Sequence, residues 1–95
     1  MYKIEKLTMA ERVSIPVGAV VEITVNERLS VPEKCYGMFF LRKAFARIGV
    51  IQVVNSPFPS SWNGKPCVVL KNDSIFDVEI LKDEEIGEVY CFDGL

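Results

Sequence analysis

Apolar and polar residues alternate along several short segments of this chain, and this alternation predicts β-strands with one buried face. The clearest case lies between residues 19 and 27, where Val21, Ile23 and Val25 fall on one face and polar residues fall on the other. Alternation or short apolar runs predict further strands at residues 2–7 (an edge strand), 13–15, 36–41, 50–54, 66–71, 75–81 and 86–92.

Residues that favour turns separate these segments. Pro16–Gly18 reads as a turn, and Asn72–Ser74 is predicted to join the segments on either side of it as a hairpin. In the second segment of that hairpin the apolar residues predicted to share a face are Phe76, Val78 and Ile80. Short strands about 8–12 residues apart are typical of a sandwich or barrel. We therefore expect residues 1–95 to form a single all-β domain.

Two segments do not alternate. Residues 36–41 are apolar on both faces, so this strand should be sandwiched within the protein or covered by another subunit. Residues 55–64 are rich in turn formers and contain Phe58 and Trp62. Loops of that length are often functional, although a Trp side chain more commonly anchors such a loop onto the core.

Leu41, Phe45 and Ile48 recur at the spacing of one helix face, which predicts a short helical turn near residues 42–48 within the β structure. Gly49 follows and should end the turn. The polar positions of this turn carry three cations, Arg42, Lys43 and Arg47. Two interpretations remain open: the cations form an ordinary solvated surface, or they bind an anion or an acidic partner.

Composition excludes several classes of protein. The 95 residues, 49% apolar and 25% charged, suffice for one hydrophobic core. The net charge of −2 gives no general attraction to nucleic acid, so nucleic acid is not expected as a partner. No apolar run approaches the roughly 20 residues of a membrane span. Residues 1–7 alternate between apolar and polar side chains and do not form the apolar block of a signal peptide. We therefore expect a cytoplasmic protein.

The cysteine and histidine content limits the possible chemistry. Cys35, Cys67 and Cys91 are far apart in sequence and each is expected to be a small buried side chain, with neither a disulfide framework nor a zinc site. Histidine is absent, which removes the commonest general base. Catalysis would have to depend on carboxylates, Lys, Tyr or a metal ion.

Several motifs resemble those of the trimeric deoxyuridine triphosphatase (dUTPase) and deoxycytidine triphosphate deaminase superfamily. Its Arg-Ser-Ser-x-Ala-Arg-x-Gly segment is matched by Arg42–Gly49 at both arginines, the alanine and the glycine. Further matches, in the order of the family, are Ile15–Gly18, Leu29–Pro32, Trp62–Gly64, Leu70–Asn72 and Ile86–Val89. The resemblance covers roughly residues 12 to 92 and implies a dUTPase-like fold of the β-clip type, a distorted barrel or sandwich.

The sequence departs from this family at the positions that carry its chemistry. The carboxylate that helps position the nucleotide sugar in the triphosphatases falls on Pro59, and the catalytic Glu of the deaminases falls on Val69. The two phosphate-binding serines become Lys43 and Ala44. Residues 1–11 contain no Asp, so the family's early motif for a catalytic water or metal ion is missing there.

The resemblance and its departures together leave two functions open. The first is a non-catalytic homotrimer that acts as a structural or protein-interaction module, for which we suggest a viral source. The second is a protein that binds or hydrolyses deoxynucleoside triphosphates such as dUTP or dCTP with relocated catalytic groups. Candidate phosphate- or nucleotide-binding residues are Arg42, Lys43, Arg47, Trp62, Asn63 and Gly64.

The acidic residues of the last third bear only on the second function. Asp83–Glu85 and Asp93 could hold Mg²⁺ beside bound phosphates, which themselves supply metal ligands. Glu88 stands where the family often has Gln, and it is a further candidate acid whose partner the sequence does not identify. Without a nucleotide, no cofactor is expected.

Overall fold

The computed structural model describes residues 1–94, which form ten β-strands and one short α-helix. The elements are β1 (Tyr2–Thr8), β2 (Val13–Ile15), β3 (Val20–Thr24), β4 (Leu29–Ser30), β5 (Cys35–Leu41), α1 (Lys43–Arg47), β6 (Val50–Gln52), β7 (Asn63–Gly64), β8 (Cys67–Asn72), β9 (Val78–Ile80) and β10 (Glu85–Asp93). The all-β prediction and the helical turn near residues 42–48 are confirmed.

All strand pairs are antiparallel and fall into four small sheets with the orders β1-β10-β5, β2-β9, β3-β8-β6 and β4-β7. The predicted edge position of β1 is confirmed, because β1 pairs only with β10. The sheets enclose one core whose fully buried side chains include Leu7, Ile23, Leu70 and Ile86. In β3, Ile23 points inward while Glu22 is exposed, as the alternation predicts.

The predicted hairpin around Asn72–Ser74 is wrong. β8 pairs with β3 and β6, whereas β9 pairs with β2 at a distant place in the sequence. The buried Asn72 amide donates to the carbonyls of Ile15 (2.9 Å) and Phe76 (2.7 Å), and these bonds direct the chain away from β8. Val78 and Ile80 are buried as expected, but Phe76 lies on the turn and is 72% exposed.

Helix α1 is a single turn that packs on the core through Phe45. It ends before Ile48, which is 52% exposed and does not share the buried face that its spacing predicted. Gly49 follows with φ of +97°, and a Cβ atom there would lie 2.8 Å from the Cβ of Ser74. Among the described residues, no helix is long and apolar enough to cross a membrane.

The three cysteines are free thiols in different environments. Cys91 is buried as predicted and Cys35 is half-buried, but Cys67 is exposed. The prediction for Cys67 is wrong because β8 directs its even-numbered side chains inward, which places residue 67 on the outer face of the sheet. The pKa of the Cys67 thiol is raised there. The main cause is hydrogen bonding to the Glu22 carboxylate, and burial is the second cause.

Candidate functional site

Arg42 and Lys43 line a cleft of about 350 Å³ between the end of β5, the start of α1 and the first half of β10. Its other charged residues are Glu85 and Glu88 of β10. The apolar part of the wall comes from Phe40, Leu41 and Tyr90. The cleft therefore presents two cations and two carboxylates beside an aromatic wall.

The backbone holds the two cations beside β10. The Arg42 N–H donates to the carbonyl of Ile86 at 2.8 Å, so the start of α1 is fixed against the strand. Gly87 sits directly opposite Leu41, and a Cβ atom at Gly87 would lie 2.3 Å from the carbonyl oxygen of Phe40. The glycine thus permits the close approach of β5 and β10 that forms the floor of the cleft.

Both carboxylates of the cleft have partners in the chain. The Tyr90 hydroxyl donates to Glu88 Oε2 at 2.7 Å, and this hydrogen bond, with the negative charge of Glu88, raises the pKa of the phenol. Glu85 forms an ion pair with Lys6 at 3.4 Å. Arg42 and Lys43 form no ion pair within residues 1–94, so their charges face the cleft without a carboxylate in contact. Glu88, left without an assigned partner by the sequence, is the partner of Tyr90.

Arg47 does not join this cleft. It lies in the last turn of α1 and is exposed, and the cleft lining comprises Arg42 and Lys43 but not Arg47. Five residues along a helix correspond to a rotation of about 140°, so Arg42 and Arg47 face different directions. The predicted cation cluster is therefore divided within one chain.

Trp62, Asn63 and Gly64 lie in another part of the chain. Trp62 and Phe58 contact each other with ring centroids 4.9 Å apart, and both pack partly buried against the core. They line a second cavity of about 170 Å³. Asn63 and Gly64 form β7 and pair with β4. Trp62 therefore anchors the loop, and one chain does not bring these residues into the Arg42–Lys43 cleft.

Pro59 and Val69, which the motif resemblance aligns with catalytic positions of the superfamily, lie in a turn and in a strand. The Pro59 carbonyl accepts a hydrogen bond from the Trp62 N–H at 3.1 Å and so closes the turn of the loop. Val69 lies in β8 opposite Glu22 of β3. Neither side chain can accept or transfer a proton.

The acidic residues proposed as metal ligands are dispersed. Asp83 accepts a hydrogen bond from the Asn26 amide at 2.9 Å, and Glu84 accepts one from the Leu81 N–H at 3.0 Å. Asp93 lies at the far end of β10. Within the described part of the chain, no three His, Cys, Asp or Glu side chains are grouped to hold a metal ion.

One side of the β5–β10 pair carries four aromatic residues, here called the aromatic face: Tyr36 and Phe40, which are exposed, and Tyr90 and Phe92, which are half-buried. Tyr36 stacks on Phe92 at 5.4 Å, and Phe40 meets Tyr90 edge-on at 5.7 Å. Phe40 is 48% exposed and Tyr36 is 38% exposed. Phe39, on the opposite side of β5, is buried in the core, so the strand is apolar on both faces as predicted.

Phe40 belongs to residues 36–41, which were expected to be covered on both faces, whereas Tyr90 was not predicted as part of this region. Glu88, Tyr90 and Phe92 are two residues apart along β10, so period-2 spacing places them on the same face. Two aromatic residues beside a carboxylate on the outer face of a strand are the signal that could have identified the region.

The strand order and the strand pairing define an all-β protein with a dUTPase-like fold. The native dUTPase of EIAV superposes with a TM-score of 0.83 at 15% identity, over 94% of this chain and 73% of that chain. The Staphylococcus bacteriophage 80alpha dUTPase with dUpNHpp gives a TM-score of 0.83 at 16% identity, over 99% of this chain and 70% of that chain. A mutant dUTPase of phage phi11 of S. aureus, whose structure shows the coordination of a structural Mg(II) ion, gives a TM-score of 0.83 at 11% identity. The match covers 95% of this chain and 76% of that chain. No protein-family model and no curated protein sequence matches the chain.

Proposed function

We propose that this chain is a non-catalytic, dUTPase-like protein that assembles as a homotrimer and serves as a structural or protein-interaction module. The observation that carries this proposal is the aromatic face. Contiguous exposed aromatic residues are uncommon on a monomer and are enriched where proteins associate, because each ring buries a large apolar area. A second copy of the chain is the partner that the trimeric superfamily suggests.

The lack of catalysis is inferred from the residues at the family's reactive positions. Pro59 offers no side-chain acceptor to a nucleotide sugar, and Val69 cannot transfer a proton. The place of the phosphate-binding serines is taken by Lys43 and Ala44. A fold can persist without these groups because its core and its turns do not depend on them.

A regulatory role has a parallel among the proteins of similar fold. Staphylococcus phage dUTPases control the transfer of virulence genes by a proto-oncogenic G protein-like mechanism. That parallel, and the EIAV and phage sources of the similar structures, support an interaction role and a viral origin for this chain.

The trimer can be tested by changing the aromatic face. The unmodified protein is expected to show three times the mass of the 10.7 kDa chain in sedimentation equilibrium or light scattering. Phe40→Glu places a charge in the middle of the apolar contact and should lower the association constant at least tenfold. Phe76→Glu is the matched control, because Phe76 is exposed on a turn outside the aromatic face, and it should stay trimeric. A monomeric unmodified protein would refute the proposal.

A second candidate function, nucleotide binding, is favoured by the cleft. Arg42 and Lys43 lack ion-pair partners within residues 1–94 and face a space large enough for a phosphate-bearing ligand. Cations without a carboxylate partner bind phosphate by charge-assisted hydrogen bonds.

Calorimetric titration distinguishes the two functions. If the cleft binds nucleotide, dUTP or dCTP should bind with a Kd below about 1 mM, and Arg42→Ala should weaken binding about tenfold or more, since hydrogen bonds to charged groups contribute about 1.5–3 kcal/mol each. The titration is repeated with the monophosphates, with and without Mg²⁺, and beside a pyrophosphate-release assay. Arg47→Ala is the matched control, because Arg47 is exposed outside the cleft. No heat at millimolar nucleotide would eliminate this candidate.

A further inference from the structure

Cys35 and Cys91 lie on the inner side of the β5–β10 pair, at the end of the sheet where β5 begins. Gly37 is opposite Cys91 and Asp93 is opposite Cys35, so the two cysteines are diagonal neighbours on one side of the sheet. The two thiols are near enough for Cys91 to act on the pKa of Cys35. Cys91 is 1% exposed, whereas Cys35 is half-buried and reachable from solvent.

The polar groups around the two thiols come from three strands. Tyr2 of β1 lies opposite Cys91, Asp93 of β10 lies opposite Cys35, and the charge of the N-terminal amine acts on Cys35. The hydrogen bond to Cys91 is the main cause that raises the pKa of the Cys35 thiol, followed by burial and the nearby negative charges. The positive charge of the N-terminal amine lowers the pKa of Cys35, but its effect is smaller than the effects that raise this pKa. The dithiol is therefore stable at neutral pH and reacts faster as the pH rises, because the thiolate is the nucleophile.

We propose that Cys35 and Cys91 are a redox pair that a low-molecular-weight disulfide, such as oxidised glutathione, converts into an intramolecular disulfide linking β5 to β10. The Cys35 thiolate attacks one glutathione sulfur, the glutathione S–S bond breaks, and the first glutathione leaves as a thiolate that takes up a proton. The Cys91 thiolate then attacks the Cys35 sulfur of the mixed disulfide and displaces the second glutathione. Two protein thiols are oxidised and one glutathione disulfide is reduced to two thiols.

The geometry requires only a small movement. Diagonal neighbours across an antiparallel pair have Cα atoms about 7–8 Å apart, and disulfides span Cα distances up to about 6.8 Å. Cys35 is the first residue of β5, and the residue before it is tied to the end of β10 by a hydrogen bond from the Gly94 N–H to the Lys34 carbonyl at 2.7 Å. The approach of Cys35 to Cys91 therefore has to come from a local change in the twist at this end of the pair.

The disulfide would act on the aromatic face. Tyr36 and Phe92 follow the two cysteines in sequence and stack on each other on the other side of the sheet. A covalent link between residues 35 and 91 would hold this stacked pair in one arrangement. This consequence rests on the proposed function of the aromatic face, whereas formation of the disulfide does not.

The test is a thiol count on the folded protein after incubation with oxidised glutathione at about pH 8.5, where thiolate becomes available. Three titratable thiols should fall to one, and the intact mass should decrease by two hydrogen atoms. Peptide mapping without reductant should join the peptides that contain Cys35 and Cys91. The Cys67→Ser variant is the matched control and should lose both of its thiols.

Two further measurements complete the test. The oxidised protein should melt about 10 °C or more above the reduced one, because a disulfide that closes a long loop restricts the unfolded chain. Cys35→Ser should prevent the mass loss and leave Cys91 free. A protein that keeps three free thiols, or that accumulates a lasting mixed disulfide at Cys35, overturns the proposal without affecting the test of the trimer.

Discussion

The Gly87→Ala variant is expected to lose about 3 kcal/mol of its free energy of unfolding, the upper end of the cost of overpacking a dense interior. The added Cβ would lie 2.3 Å from the Phe40 carbonyl oxygen and 2.6 Å from the Phe39 ring. The ring of Phe39 could rotate, but the carbonyl belongs to the backbone of a paired strand. Relief therefore requires β5 and β10 to separate at the floor of the cleft.

Gly18→Ala is the control that separates crowding from backbone strain. Gly18 has φ of +78°, and a Cβ atom there meets nothing within 4 Å. Replacing Gly18 with Ala should lower the free energy of unfolding by about 1–2 kcal/mol, which is the cost of placing a side chain in the left-handed conformation. Urea unfolding of both variants, with unchanged m-values, gives the comparison. If the Gly87→Ala variant were no less stable than the Gly18→Ala variant, the inference that β5 and β10 approach too closely at Gly87 to admit a side chain would be wrong.

Strand positions could be predicted from the sequence where burial follows a local period. Ile23 is buried and Glu22 is exposed in β3, as the alternation of apolar and polar residues predicts. Helix α1 was predictable because Phe45 anchors it and Gly49 adopts a conformation that suits glycine. These signals lie within a few residues of the structure that they specify.

The strand partners could not be predicted, because pairing is a long-range property. β2 pairs with β9 through contacts such as Ile15 with Val78, more than half the chain apart. The turn at residues 72–74 looks like a hairpin in sequence, yet it separates strands of two different sheets. Register and partner are set by which apolar faces meet in the core, and local spacing does not encode that.

The candidate site was predictable only in part for the same reason. The sequence identified Arg42 and Lys43 as candidate binding residues, and the structure places both in the cleft. Arg47 was grouped with them because it is close to them in sequence, but the helix directs Arg47 away from the cleft. Tyr90 and Glu88 reach the cleft through the pairing of β10 with β5, a contact between residues about half the chain apart.

The Asn72→Ala variant is expected to lose about 3 kcal/mol, since each buried polar group that is left unsatisfied costs about 1–3 kcal/mol. Asn72 is fully buried, and its amide donates to the Ile15 and Phe76 carbonyls. Its side-chain oxygen accepts from the backbone N–H of Ser74 at 3.0 Å and from the Ser74 hydroxyl at 2.6 Å. Alanine removes all four bonds and leaves a cavity, and thermal or urea unfolding measures the loss.

Ser74→Ala is the matched variant for this network. It removes the hydroxyl but keeps the Cβ that packs on Gly49, and the Asn72 amide retains both of its carbonyl acceptors. The lost hydroxyl also donates to the Phe76 carbonyl at 2.9 Å and accepts from the Phe76 N–H at 3.3 Å, but both bonds are exposed and water can replace them. The expected loss is therefore about 1 kcal/mol. Equal losses in the two variants would mean that the Asn72 amide does not hold β2 and the turn together. A large loss at Asn72 together with a small loss at Ser74 would show that the Asn72 amide is required for the fold.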